Sequence, residues 1–169
     1  KQLRTVSRII ASQQRLGVRR QVFFISLSGF DTHSGQKGIQ SRLLEQVDQT
    51  LAHFVEQMKI LGMENQVTLF TASDFGRSML TNGSGSDHGW GSHHFVVGGA
   101  VQGGRLYGQF PAFGRDVGQD VNGQLVPRYS VEQYAAALGR WFGLSDGQLL
   151  EALPNLSNFD RRALAFMRA

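Results

Sequence analysis

Four of the five histidines in this sequence keep acidic or histidine company, and none of the four falls in a stretch with helical period. His33 lies two residues after Asp31, His88 follows Asp87, and His93 and His94 come five and six residues later. Asp31 and Asp74 each stand just past an apolar run, at equivalent places on successive elements. In Asp31-Thr32-His33, positions i and i+2 point the same way where the chain runs extended, so carboxylate and imidazole could share one ion. Oxygen and nitrogen donors without sulfur suit Zn, Mn or Fe, whereas a site for a hard cation alone would hold fewer histidines. The expected cofactor is therefore a divalent metal, Zn or Mn before others. Its candidate ligands are Asp31, His33, Asp74, Asp87, His88, His93 and His94. Arg77, three residues after Asp74, offers a planar fork that suits an anionic substrate, and equally a structural ion pair.

Each of these residues alone has an ordinary explanation. An aspartate after a strand is often a helix cap or a turn former. His93 and His94 could flank a strand, one inward and one outward. It is the gathering of four histidines at one inferred sheet end that argues for a metal. His53 falls on the polar face of a helical pattern and reads as surface.

Other motifs fail on their context. Asp74-Phe75-Gly76 matches the magnesium triplet of protein kinases, but no His-Arg-Asp loop or strand lysine accompanies it. Asn82-Gly83-Ser84-Gly85-Ser86 has the wrong glycine spacing for a nucleophile elbow, and no other Ser or Thr sits in one, so a catalytic nucleophile is not identified. Gly98-Gly99 with Gly103-Gly104 lacks the dinucleotide fingerprint.

The elements that must position these residues follow from periodicity. Leu3, Val6, Ile9, Ile10 and Leu16 repeat at helix spacing, with Gly17 where a cap belongs. The continuous apolar run Val22 to Leu27 fits a strand buried on both faces, as in a parallel sheet. From Gln40 to Leu61, Leu43, Val47, Leu51, Phe54, Met58 and Leu61 step by threes and fours, and Gly62 stops the helix. Val67 to Ala72 is a second strand, so strand–helix–strand implies an α/β fold with a mostly parallel sheet. Its strand ends would then carry the ligands.

Phe75 to Ser92 shows no helical period. A third strand, His94 to Val97, follows without a crossover, which implies antiparallel or edge placement. Gly103 to Arg128 reads as loop and hairpin, with turn signals at Asn122-Gly123 and Pro127. Ser130 with Gln133 forms a capping box for a helix striped by Tyr134, Leu138, Trp141 and Phe142, and Gly143 closes it. The tail reads as one or two short helices broken at Pro154.

With 169 residues, residues 1–169 are expected to make one domain with its own core. The net charge of +4 comes mainly from Lys1, Arg4, Arg8, Arg15, Arg19 and Arg20, interleaved with apolar residues at helical spacing. A solvated helix face explains that stripe better than nucleic acid or acidic lipid, and no nucleic-acid partner is expected. No apolar run is long enough for a membrane span. The chain opens on Lys1, directly in a helical pattern, and reads as the C-terminal part of a larger α/β protein. The missing N-terminal portion is thus an expected partner.

Gly29-Phe30-Asp31-Thr32-His33, Thr71-Ala72-Ser73-Asp74-Phe75-Gly76-Arg77 and Asp87-His88-Gly89-Trp90-Gly91 through Gly98-Gly99 together resemble the bacterial family catalogued as domain of unknown function 1501. The ending Leu153-Pro154-Asn155-Leu156 to Asn158-Phe159 is similar too. The resemblance spans nearly the whole chain. It implies a branch of the alkaline phosphatase and sulfatase superfamily, an alkaline-phosphatase-like fold, export from the cell, and metal-assisted hydrolysis of phosphate or sulfate esters. By that similarity Asp31, His33 and His88 would hold a first metal and Asp74 a second. Phe75 stands where such phosphatases place a histidine, and Asp31 and His33 are closer together than their counterparts. The rival expectation is a non-enzymatic exported structural or binding protein that keeps the fold.

Overall fold

Helices built from the periodic segments carry most of the core. The computed structural model describes residues 2–112 and 120–168. The first helical pattern is broken at Ser12 into α1 (Gln2–Ala11) and α2 (Gln13–Leu16), and α2 ends at Gly17, whose φ of 65° gives the left-handed cap that glycine tolerates best. Helix α3 (Gln36–Ile60) starts four residues earlier than the periodicity predicts and stops short of Gly62. Val6 and Ile10 of α1 pack on Phe54 and Met58 of α3, with Phe23, Val67 and Leu69 closing over them. The second half is also helical. Helix α4 (Val131–Phe142) begins with the expected Ser130/Gln133 capping box and ends at Gly143, and α5 (Asp146–Ala152) has a capping box of its own at Ser145/Gln148. Ala136 of α4, Leu149 of α5 and Leu156 of the 3₁₀ turn Pro154–Asn158 form one buried cluster, and Ala137, Leu138 and Phe166 form another.

The strands correct the expected architecture. All strand pairs among the described residues are antiparallel and each sheet has two strands. These are β1 (Leu69–Phe70) with β4 (Val96–Val97), β2 (Gly76–Thr81) with β3 (Ser86–Gly89), and β5 (Asp120–Val121) with β6 (Gln124–Leu125). This is not a mostly parallel, alkaline-phosphatase-like α/β sheet. The reason lies at the first predicted strand. Residues 22–27 join no ladder, and Phe24 and Val22 are 92% and 75% exposed, while only Phe23 is drawn into the helical core. A parallel strand needs apolar cover on both faces. Here the contact between α1 and α3 has already taken that cover, so the predicted strand–helix–strand unit has no first strand. The antiparallel setting of the third predicted strand does hold, as β1 pairs with β4. No helix among the described residues is long and apolar enough to cross a membrane.

One hairpin organises the region around the histidines. Strands β2 and β3 turn through Asn82–Gly85, where Gly83 has φ 118° and Asn82 Oδ1 accepts from the Gly85 N–H at 3.0 Å. The hairpin tip leans on the loop before α3: the Gln36 N–H donates to the Ser84 carbonyl at 3.0 Å. Gly85 makes this approach possible, since a Cβ there would lie 2.5 Å from the carbonyl oxygens of Thr32 and His33. The second hairpin, turning on Asn122 and Gly123 with φ of 55° and 80°, adds its edge to the first. Met79 N–H donates to the Gly123 carbonyl at 2.7 Å, and Gly91 N–H to the Leu125 carbonyl at 2.9 Å.

Candidate metal centre

Asp31 and His33 flank Thr32, which is 3% exposed and turns inward, with its N–H held by the Phe30 carbonyl at 2.9 Å. Alternation sends the two flanking side chains outward together. His33 Nε2 stands 2.9 Å from Asp31 Oδ1. The hairpin supplies the third group. Arg77 of β2 and His88 of β3 are register partners and share a face, so both reach the same carboxylate. His88 Nε2 is 3.0 Å from Asp31 Oδ1 and 3.3 Å from His33 Nε2, while Arg77 Nη1 donates to Asp31 Oδ1 at 2.8 Å.

Behind these atoms each group is braced. Arg77 also donates from Nε to Ser86 Oγ at 3.2 Å, and from Nη2 to the Ser86 carbonyl. His33 Nδ1 lies 3.3 Å from Asp87 Oδ1, which accepts as well from Asn82 Nδ2 at 3.2 Å. The Phe75 ring stacks on the His88 ring at 3.7 Å between centroids and 9° between planes. The Arg77 guanidinium holds the Asp31 carboxyl below its ordinary value of 3.8, helped by the hydrogen bond from His88 and the nearby imidazoles.

The donor set fits a small divalent cation. Asp31, His33 and His88 offer three ligand atoms that lie within 4.8 Å of one another, all exposed. Bonds of about 2.0–2.2 Å to Zn place tetrahedral ligand atoms roughly 3.3–3.6 Å apart. The edges of this triangle, 2.9, 3.0 and 3.3 Å, need to open only slightly. All three atoms can act as acceptors, and such atoms repel unless a proton or a cation stands among them.

The other predicted residues lie elsewhere. Asp87 faces the far nitrogen of His33. Asp74 is exposed and outside the donor group. His93 stacks on Phe110 at 5.3 Å. His94 stacks on Tyr134 at 5.5 Å, with Nδ1 3.5 Å from Thr71 Oγ1, and burial pushes its pKa down. His53 is exposed on α3, as its place on the polar face predicts. Sequence reasoning passed over Phe75, Asn82, Ser84 and Ser86 as bracing residues. The Asn82-Gly83 pair, a strong short-range hairpin signal, would have exposed the fold that places them.

A family model described as protein of unknown function (DUF1501) matches residues 3–153. No curated protein and no solved structure matches the chain.

Proposed function

The chain belongs to the DUF1501 family of proteins of unknown function, and from that premise we propose that it is a metal-dependent hydrolase of phosphate or sulfate esters. Asp31, His33 and His88 would hold one divalent ion, Zn or Mn. The observation that carries this reading is the convergence of three acceptor atoms from segments 55 and 57 residues apart in sequence. A cation at that point would polarise an ester oxygen and lower the pKa of a bound water. The chain's own residues do the rest. Arg77 fixes Asp31 and keeps it ionised, and its remaining N–H groups suit an oxyanion beside the centre. The openness of the site leaves room for a substrate and a water.

The ester class and an exported location rest on the resemblance of the three motifs to the DUF1501 family, which looks like a branch of the alkaline phosphatase and sulfatase superfamily. They do not rest on the fold. One observation favours the rival reading, a non-enzymatic binding protein that retains a metal. Hydroxyls flanking these segments in sequence are engaged: Thr32 is buried, Ser73 Oγ donates to the Phe75 carbonyl at 3.0 Å, and Ser86 Oγ accepts from Arg77. Water is then the nucleophile available to an enzyme here.

Calorimetric titration of the metal-stripped chain with Zn²⁺ and Mn²⁺, beside Asp31→Asn and His88→Gln, tests the site. Both substitutions should weaken binding by more than the roughly 10–100-fold typical of an outer-shell group. Metal-dependent turnover of an aryl phosphate or sulfate, lost in the same variants, would establish the hydrolase. Tight metal binding without turnover would favour the binding protein, and no binding at all would remove both.

A further inference from the structure

We propose that Asp31, His33 and His88 cap one face of a six-coordinate ion, Mn²⁺ or Fe²⁺ rather than tetrahedral Zn²⁺, and leave three adjacent positions that hold an oxyanion and a water side by side. This rests on the metal binding proposed above and not on ester turnover.

The sides of the donor triangle discriminate between the two geometries. Neighbouring ligands of an octahedron stand √2 bond lengths apart, so bonds of about 2.0–2.2 Å put them roughly 2.8–3.1 Å from one another. Ligands of a tetrahedron with the same bonds stand roughly 3.3–3.6 Å apart. His33 Nε2 and His88 Nε2 lie 2.9 and 3.0 Å from Asp31 Oδ1, inside the octahedral range, and 3.3 Å from each other. The third side exceeds that range by about 0.2 Å, which is the tolerance of a metal site. A tetrahedron would leave the two sides at Asp31 short by about 0.3–0.4 Å. The donor types agree with the distances. Two imidazoles and one carboxylate on one face, with the other positions open, suit Fe²⁺, and positions filled by water suit Mn²⁺.

The surroundings leave the opposite side of such an ion to exogenous ligands. Among the described residues no further His, Asp or Glu joins the donor group. Asp87 is turned to Nδ1 of His33, on the far side of that ring. The side chains of Asp31, His33 and His88 are 55%, 49% and 48% exposed, so the positions beyond them face solvent. One position can take an ester or phosphate oxygen and its neighbour the water whose pKa the ion lowers. Thr32, Ser73 and Ser86 have their hydroxyls hydrogen-bonded. A water delivered by the ion therefore supplies the nucleophile that these side chains do not.

The test loads the whole metal-free chain with Mn²⁺ and, separately, with Co²⁺. Pulsed EPR of the Mn²⁺ form in ²H₂O should count three exchangeable waters, the complement of three protein ligands in an octahedron. Visible absorption of the Co²⁺ form should be weak, as six ligands give, rather than intense, as four give. Inorganic phosphate should displace at least one water and leave at least one. His88→Ala should gain one water with unchanged thermal melting, and His53→Ala should gain none. Should His88→Ala lose the ion outright, the count in the parent chain still decides the geometry. An intense Co²⁺ spectrum or fewer than three waters on Mn²⁺ would overturn the proposal, since the triangle would open on loading and its short sides would be hydrogen bonds only. Phosphate that strips every water would overturn the side-by-side placement. Failure to bind either ion would remove this proposal and the hydrolase together, whereas three waters without ester turnover would remove the hydrolase alone.

Discussion

Gly85 is the point at which the hairpin and the ligand loop touch, and replacing it with alanine tests how the centre is assembled. An added Cβ would sit 2.5 Å from the carbonyl oxygens of both Thr32 and His33, whereas ordinary contact begins at 3.4 Å. The shortfall is about 0.9 Å, and the atoms in the way are backbone, which cannot rotate aside as a flexible side chain can. Gly85 is outside the left-handed region, so the cost is steric rather than conformational. Overpacking of this kind costs roughly 1–3 kcal/mol. A shift of about 0.9 Å between loop and hairpin also separates Asp31 and His33, on the loop, from His88, on β3, and metal sites tolerate only about ±0.2 Å in ligand distance. Gly85→Ala should therefore lose about 1–3 kcal/mol in urea unfolding and weaken Zn²⁺ binding at least about tenfold. Gly103→Ala is the control, because nothing lies within 4 Å of a Cβ there. It should stay within about 0.5 kcal/mol of the parent chain. A Gly85→Ala variant as stable as the Gly103→Ala control, with unchanged Zn²⁺ affinity, would refute the docking of hairpin on loop as the origin of the site.

Gly38 lies within α3 with open space around its Cα, so Gly38→Ala should raise stability by about 0.5–1 kcal/mol in the same unfolding assay. Ser130→Ala removes the capping-box acceptor that holds the Gln133 N–H at 3.2 Å, and thermal or urea unfolding should show a loss of about 1 kcal/mol. Burial holds the His94 pKa below its ordinary 6.5, so its neutral form is favoured by folding. The corresponding stability is present above 6.5 and is lost as pH falls from there through the folded-state value. The urea midpoint should thus drop as pH is lowered past that point, and less steeply in His94→Gln. Asp74 is exposed and outside the donor group, so Asp74→Asn should leave Zn²⁺ affinity nearly unchanged while Asp31→Asn abolishes most of it, as calorimetric titration would show.

What could be read from the sequence was what short-range chemistry decides. The steps of three and four in α3 and α4, the Ser130/Gln133 box, the glycine stops at 17, 62 and 143, and the Asn122-Gly123 turn are each complete within a few residues. Strand pairing is not. The run Val22 to Leu27 has the composition of a buried parallel strand, yet composition states only what such a segment would tolerate. Whether it pairs depends on which surfaces are free, and those are set by Val6, Ile10, Phe54 and Met58, two of them some thirty residues further along the chain. The β2–β3 hairpin was missed for the opposite reason. Its signal is local, at Asn82-Gly83, but polar and glycine residues around the turn hide the alternation that normally marks a strand.

At the candidate site Asp31, His33 and His88 meet on a scaffold other than the expected one. The sequence places Asp31 and His88 together only if ligands collect at the ends of parallel strands. The structure brings them together through a hairpin tip that rests on the loop before α3, by way of Gly85 and Ser84. Both routes join the same residues because both begin from one local fact: Asp31-Thr32-His33 turns two metal-competent groups the same way, and a third needs only to arrive. They diverge where the scaffold matters. A parallel sheet would have set Asp74 beside Asp31 as a neighbouring strand end. An antiparallel hairpin instead sets Arg77 opposite His88, so the group beside Asp31 is a cation rather than a second carboxylate. That exchange determines the chemistry available. Two carboxylates would suit a pair of metals, whereas one carboxylate, two imidazoles and a guanidinium suit a single ion with an oxyanion next to it.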